Sequence, residues 1–161
     1  MDVLYNGKPI INGQFIKVSE AQVKPEIVIK NANDGIFYTI IMHDPDAVGG
    51  NKIHWSRTNI KGNSGSDIIP YVGPAPPPKT GKHHYIFELY KQNGENIIDP
   101  IDHRQFDTSE LRNKLNLSNP IFTIEFISQN ESGGKKSYRR KRRKNKKTRK
   151  NRRRNALRFL K

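Results

Sequence analysis

From residue 4 to residue 127 the chain carries short apolar runs, broken every ten to twenty residues by clusters of Gly, Pro, Asn and Asp. That rhythm suits an antiparallel β protein and leaves little room for long helices. The runs predict strands at Leu4–Tyr5, Gln14–Ile16, Glu26–Lys30, Ile36–His43, His54–Ile60, His84–Tyr90 and Ile121–Ile127. A helix is predicted after Asp107, which can cap it, with Glu110 three residues on as in a capping box and Leu111 and Leu115 at i, i+4. Pro120 then stops the chain before the last strand. The expected fold is mainly β, antiparallel and sandwich-like, with one or two short helices.

Charge divides the chain. Residues 1–134 hold 13 bases against 15 acids, a net of −2, whereas the last 27 residues hold 17 bases and no acid. A near-neutral stretch of that length can bury an apolar core without disulfides or metal, which suits a chain with no cysteine. Thiol chemistry and cysteine-based zinc sites are thereby excluded. The expected organisation is a ligand-binding domain over residues 1–130 and a basic, low-complexity tail over 131–161. The tail has too little apolar surface to offset its ordering entropy and is read as disordered. Met1-Asp2-Val3-Leu4-Tyr5 has no basic leader pattern, and no apolar run approaches the roughly 18 residues of a membrane-spanning helix. A soluble, intracellular, cytoplasmic protein is expected, with nuclear or particle association open to it through the tail.

Polar residues gather at the ends of the apolar strands. The run from Ile36 to Met42 ends in His43-Asp44-Pro45-Asp46, where Pro45 takes the chain out of the ladder and leaves carboxylates at a strand end. Strand alternation groups His54 with Ser56 and Thr58, opposite Trp55, Arg57 and Asn59; it also groups His83 with Tyr85, Phe87 and Leu89. Two long loops, 44–51 and 62–81, lie between these strands; the second holds Pro70, Pro74, Pro76, Pro77 and Pro78.

The order Asp44-Pro45-Asp46-Ala47, His54, Tyr71-Val72-Gly73-Pro74-Ala75-Pro76-Pro77 and Gly81-Lys82-His83-His84-Tyr85 resembles the motif series of the phosphatidylethanolamine-binding protein family, in a short form with a basic C-terminal tail. His103-Arg104-Gln105-Phe106, the helix and Leu117 to Phe126 are similar to the family's closing elements, so the resemblance runs from about Val3 to Ile127. It implies a β-sandwich-like fold with an edge pocket for phosphate-type anions and phospholipid head groups, in proteins that include kinase-cascade inhibitors, protease inhibitors and flowering switches. By position, the ligand-binding residues it implies are Asp44, Asp46, His54, Gly73, Pro74, Pro77, His83 and Tyr85. Val48 stands where the family pattern has proline, and His84 where it has arginine.

The chemistry is reasonable on its own terms. A phosphate monoester needs several donors on a rigid frame, and imidazole, phenol and backbone N–H groups supply them. Asp44 can accept from a histidine N–H and so fix its tautomer, or a carboxylate can attract the ammonium of ethanolamine.

Other chemistries fit less well. The span from Asp44 to Trp55 is no calcium loop, because its twelfth residue is Trp55 and Pro45 breaks it. Histidines 43, 54, 83 and 103 lack metal-ligand spacing, and no Gly-x-Ser-x-Gly elbow accompanies Ser56. No metal, cofactor or catalytic residue is expected; the protein is read as a non-enzyme. Pro74-Ala75-Pro76-Pro77 also satisfies a PxxP count, but a loop framing a pocket explains it better. The expected partners are a phosphate or phospholipid head group, a signalling protein, and nucleic acid or anionic membrane through the tail. Arg139, Arg140, Lys141, Arg142 and Arg143 form its densest polyanion-binding and import-signal stretch. A carrier fold for that tail, nucleic-acid-associated or structural, is the alternative reading.

Overall fold

A computed structural model describes residues 1–62, 64–101 and 107–131. Residues Met1–Asn130 form one compact unit. The tail and the segment around His103 lie outside the described residues, and so do the expectations placed on them.

Among the described residues there are nine strands: β1 (Asp2–Tyr5), β2 (Lys8–Pro9), β3 (Gln14–Phe15), β4 (Glu26–Val28), β5 (Tyr38–Asp44), β6 (Lys52–Ile60), β7 (Ser66–Ile69), β8 (Lys82–Lys91) and β9 (Phe122–Gln129). A 3-10 turn spans Val18–Ala21, and an α-helix, α1, spans Thr108–Lys114. Asp107 caps α1 as the sequence predicts: its carboxylate accepts from the Glu110 N–H at 2.9 Å, and the Glu110 carboxylate accepts from the Asp107 N–H. β2, β7 and the 3-10 turn were not foreseen, being too short to show a period.

The strands form a small sheet in the order β2-β1-β4 and a six-stranded sheet in the order β3-β9-β8-β5-β6-β7. All pairings are antiparallel except β3 with β9, where Gln14 and Phe15 run parallel to Phe126 and Ile127. β5 lies in the middle of the large sheet, and all seven of its residues are buried. This explains its near-continuous apolar run: a strand covered on both faces has no outward side to make polar.

One core contains Val3 and Tyr5 of the small sheet with Ile40, Met42, Trp55, Tyr85, Phe87 and Phe126 of the large one. On the opposite face, Ile41, Ile53, Ile68, Ile69 and Tyr90 pack with Leu111 and Leu115 of α1 and the chain just after it. The protein is therefore sheet on sheet with a helix over the far side.

A break in register decides where His54 points. Met42 pairs with Trp55 but His43 pairs with Ile53, so His54 is an extra residue on β6. Such a bulge re-aims a side chain that simple alternation would send the other way. Trp55 joins the inter-sheet core, and the His54 ring meets Tyr85 of that same core edge-on at 5.2 Å. Ser56, by contrast, pairs with Ile41 of the helix-side core. The grouping of His54 with Ser56 and Thr58 is thus corrected: the bulge turns His54 to the side of Asp44 and Tyr85.

Candidate functional site

Where β5 ends and β8 begins, Asp44 and His83 are both almost fully buried, at 3% and 1% exposure. The His83 Nδ1 lies 2.7 Å from Asp44 Oδ2, while Asp44 Oδ1 accepts the Asp46 N–H at 2.9 Å. That second bond folds the chain back as it leaves the strand through Pro45. The other ring nitrogen of His83, Nε2, is 2.7 Å from Thr80 Oγ1, and the Thr80 hydroxyl is held by the Pro77 carbonyl at 2.9 Å. His83 is therefore tied to both flanking loops.

Two residues along β8, Tyr85 stacks on Phe126 at 5.1 Å and receives the edge of His54. Among the described residues, the buried Tyr85 hydroxyl makes no hydrogen bond of good geometry. The Asp44 carboxylate and the Ala75 N–H lie close enough to act on it. Burial, and then the Asp44 charge, push the phenol well above its ordinary range.

The loop from Pro70 to Gly81 is pinned along its length. The Val72 N–H donates to His54 O at 2.8 Å, and His54 Nδ1 returns a bond to Val72 O at 2.9 Å. Gln22 Nε2 donates to Pro74 O and Asn130 Nδ2 to Pro76 O. Tyr71 donates to Ala21 O at 2.6 Å and lies 2.9 Å from the Tyr5 hydroxyl; burial pushes its phenol up to about 12. Gly73 is needed for closeness: a Cβ there would stand 2.8 Å from Ala21 O and 3.0 Å from Gln22 Cα, both backbone atoms. Gly73→Ala should destabilise the domain by about 1–3 kcal/mol, measured as a lower urea midpoint at unchanged slope.

Of the residues the sequence nominates, Asp44, His54, His83 and Tyr85 come together. Gly73 and Pro74 are buried in the loop beside them, and Pro77 takes part through its carbonyl. Asp46 turns to His84: its Oδ2 accepts from the His84 N–H at 2.9 Å and from His84 Nδ1 at 2.7 Å at the exposed start of β8, while its charge still acts on His83 and Tyr85. The His84 side-chain hydrogen bond, then its backbone one, hold the Asp46 carboxyl below the usual range. Thr80 and Ala75 were not anticipated, since their parts are set by loop geometry and no residue pattern marks them.

A second polar group lies on the helix side of the same strand ends. His43 Nδ1 is 2.9 Å from Asn51 Oδ1, and Asn51 Nδ2 donates to Thr108 Oγ1 of α1 at 2.7 Å. This links the loop after Asp44 to the helix. His43 Nε2 is 3.5 Å from Glu88, which also accepts from the Tyr90 hydroxyl. Burial raises the Glu88 carboxyl, but His43, Tyr90 and the Arg112 charge outweigh it and hold the group below the usual carboxylate range. A carboxyl depressed by folding contributes stability above its unfolded value and loses it as pH falls through the folded one. Glu88→Gln should therefore flatten the acid limb: its urea midpoint falls less than that of the wild type between pH 6 and pH 3 (~3 units, spanning the range in which carboxyls titrate).

Among the described residues no group of three His, Cys, Asp or Glu side chains could hold a metal ion, and no helix is long and apolar enough to cross a membrane.

The profile described as PBP, phosphatidylethanolamine-binding protein, matches residues 5–127. The chain belongs to the phosphatidylethanolamine-binding protein family. Within that family, it is 30% identical over 148 residues to CEN-like protein 1 of Nicotiana tabacum, covering 84% of each chain. It is also 30% identical over 150 residues to TERMINAL FLOWER 1 of Arabidopsis thaliana, covering 84% of this chain and 82% of that one. Its fold is similar to that of carboxypeptidase Y inhibitor, solved in complex with its cognate proteinase, with a TM-score of 0.61 and 20% identity over 81% and 82% of the two chains. The phosphatidylethanolamine-binding protein of Plasmodium vivax superposes with a TM-score of 0.59 at 16% identity, over 81% and 84%. These two likenesses speak for the fold alone.

Proposed function

We propose that this family member is a non-catalytic binding protein. Its Asp44–His83–Tyr85–His54 cluster receives a phosphate-type anion, free or as a phospholipid head group, and through the same site the protein regulates a signalling partner. The observation that carries this reading is the Tyr85 hydroxyl. A buried hydroxyl without a well-formed hydrogen bond costs about 1–3 kcal/mol; several buried polar atoms of the described residues share that state, but this one lies beside Asp44 and under the edge contact with His54. A ligand oxygen at this spot supplies that bond. Asp44 and His83 serve as the frame, since their bonds to each other and to Asp46 and Thr80 fix the strand ends around the phenol.

Phosphorus NMR of phosphoethanolamine tests this directly. The full chain should broaden and shift the ligand signal saturably, and His54→Ala should weaken the effect by about tenfold or more, the size of one lost charge-assisted contact. An unchanged titration with that variant would remove the basis of the proposal.

The tail supports a second, separable activity. Seventeen positive charges without an acid create a potential that attracts any polyanion, in whichever compartment the protein works. Its binding should fall steeply with salt and should be untouched by His54→Ala.

A further inference from the structure

β4 lies at the edge of the small sheet, and the ladder shows which of its backbone groups face outward. The Val3 carbonyl accepts the Ile10 N–H at 2.9 Å, so the backbone groups of Val3 face β2. Antiparallel pairing alternates, and Ile27, the residue opposite Val3, therefore turns its own N–H and C=O away from β1. Ile29, two residues on, does the same. Among the described residues no hydrogen bond reaches either backbone from that side. A groove of about 170 Å³ runs along this edge, walled by Ile36, Tyr38 and Lys61.

The sequence along the edge is Glu26-Ile27-Val28-Ile29-Lys30. Ile27 and Ile29 pack against the inter-sheet core, while Glu26, Val28 and Lys30 are exposed on the other face. Laid antiparallel on itself about Val28, the segment sets Ile27 opposite Ile29 of the copy, and each such pair exchanges both N–H···O bonds. The same register sets Glu26 opposite Lys30 at both ends and Val28, 38% exposed, against itself. We infer that this edge docks a second copy of the chain, β4 against β4 across a two-fold axis, joining the two small sheets into one. An unpaired apolar edge is a liability that folded proteins cover, and a copy matches both its open bonds and its charges. Lys30 already lies 2.8 Å from Asp2 of its own copy, but both side chains are well exposed and such a pair holds little, so the ammonium is free to serve Glu26 of the second copy. An edge this short falls well below the ~800 Å² per partner of a standard interface, so the association should be weak, with a dissociation constant on the order of 0.1 mM.

Sedimentation equilibrium of the full chain from ~10 µM to ~1 mM, at about 0.15 M salt where the charge of the tails is screened beyond roughly 8 Å, tests this. The mass should rise toward that of two chains. Glu26→Lys and Lys30→Glu put like charges at both ends of the pairing, so each should weaken association by about tenfold or more. Their equimolar mixture should associate as well as the wild type, because the glutamates of one variant meet the lysines of the other. Amide exchange reads the register: Ile27 and Ile29 should gain protection as concentration rises, and Val28, whose N–H faces β1, should be protected throughout. A single-chain mass across the whole range overturns the inference and leaves the edge to a strand of another protein. Association that both reversals leave intact, or that leaves Ile27 and Ile29 unprotected, places the contact elsewhere and overturns it equally.

Discussion

Asp44→Ala should lower the stability of the domain by about 3 kcal/mol, and its melting temperature by roughly 10 °C. The carboxylate is 3% exposed and holds two donors, the His83 ring and the Asp46 N–H. Truncation leaves a buried imidazole N–H facing an empty space and frees the first turn of the loop that follows β5. An unsatisfied buried donor carries the full desolvation penalty, whereas a surface pair would lose almost nothing. Asp44→Asn keeps the shape and one acceptor, so it should lose less than the alanine variant. Differential scanning calorimetry of the two variants checks both the size and the order. A loss under 1 kcal/mol for alanine would mean that water replaces the carboxylate and that the Asp44–His83 pair is not a rigid frame.

Tyr85→Phe should separate stability from binding. The hydroxyl is buried and makes no hydrogen bond of good geometry, so its removal should leave stability unchanged or raise it by about 1 kcal/mol, while the ring keeps its stacking on Phe126. Anion affinity should meanwhile fall by about tenfold or more. Residues kept for ligands commonly trade against stability in this direction. Urea denaturation and ligand titration of the same variant give the two numbers. Should the phenylalanine protein be destabilised by 2 kcal/mol or more (~2, more than a hydroxyl without a partner contributes), the hydroxyl has a structural partner, and the argument from its isolation no longer holds.

Much of this architecture can be read from the residues. β5 and β8 declare themselves because a strand covered on both faces becomes an apolar run and a strand packed on one side alternates. The start of α1 is visible because Asp107 and Glu110 complete a reciprocal cap within four residues. What escapes is decided between segments. The bulge at His54 is a property of the register of β6 against β5, and the residues of β6 alone look evenly alternating. The parallel contact of β3 with β9 joins residues more than a hundred positions apart through two residues on each strand. β7 is four residues long and follows a loop of small polar residues, so no periodic signal marks it.

The site divides along the same line. Asp44, His54, His83 and Tyr85 are legible from motif order. The hydrogen bonding of Asp46 follows from His84, whose ring sits where the family pattern has arginine and holds the carboxylate at the start of β8. Thr80 and Ala75 matter only because the pinned loop brings their hydroxyl and N–H to His83 and Tyr85, a consequence of backbone geometry that composition does not carry.

A two-dimensional proton–nitrogen NMR titration of the full chain with inorganic phosphate reaches the centre of this account. The amide signals of Ala75, His83 and Tyr85 should move together and saturate at a common dissociation constant, and in Tyr85→Phe they should move far less at the same phosphate concentration. Shifts confined to residues 135–161, with those three amides still, would show that this protein meets anions only through its basic tail and that the buried cluster binds none.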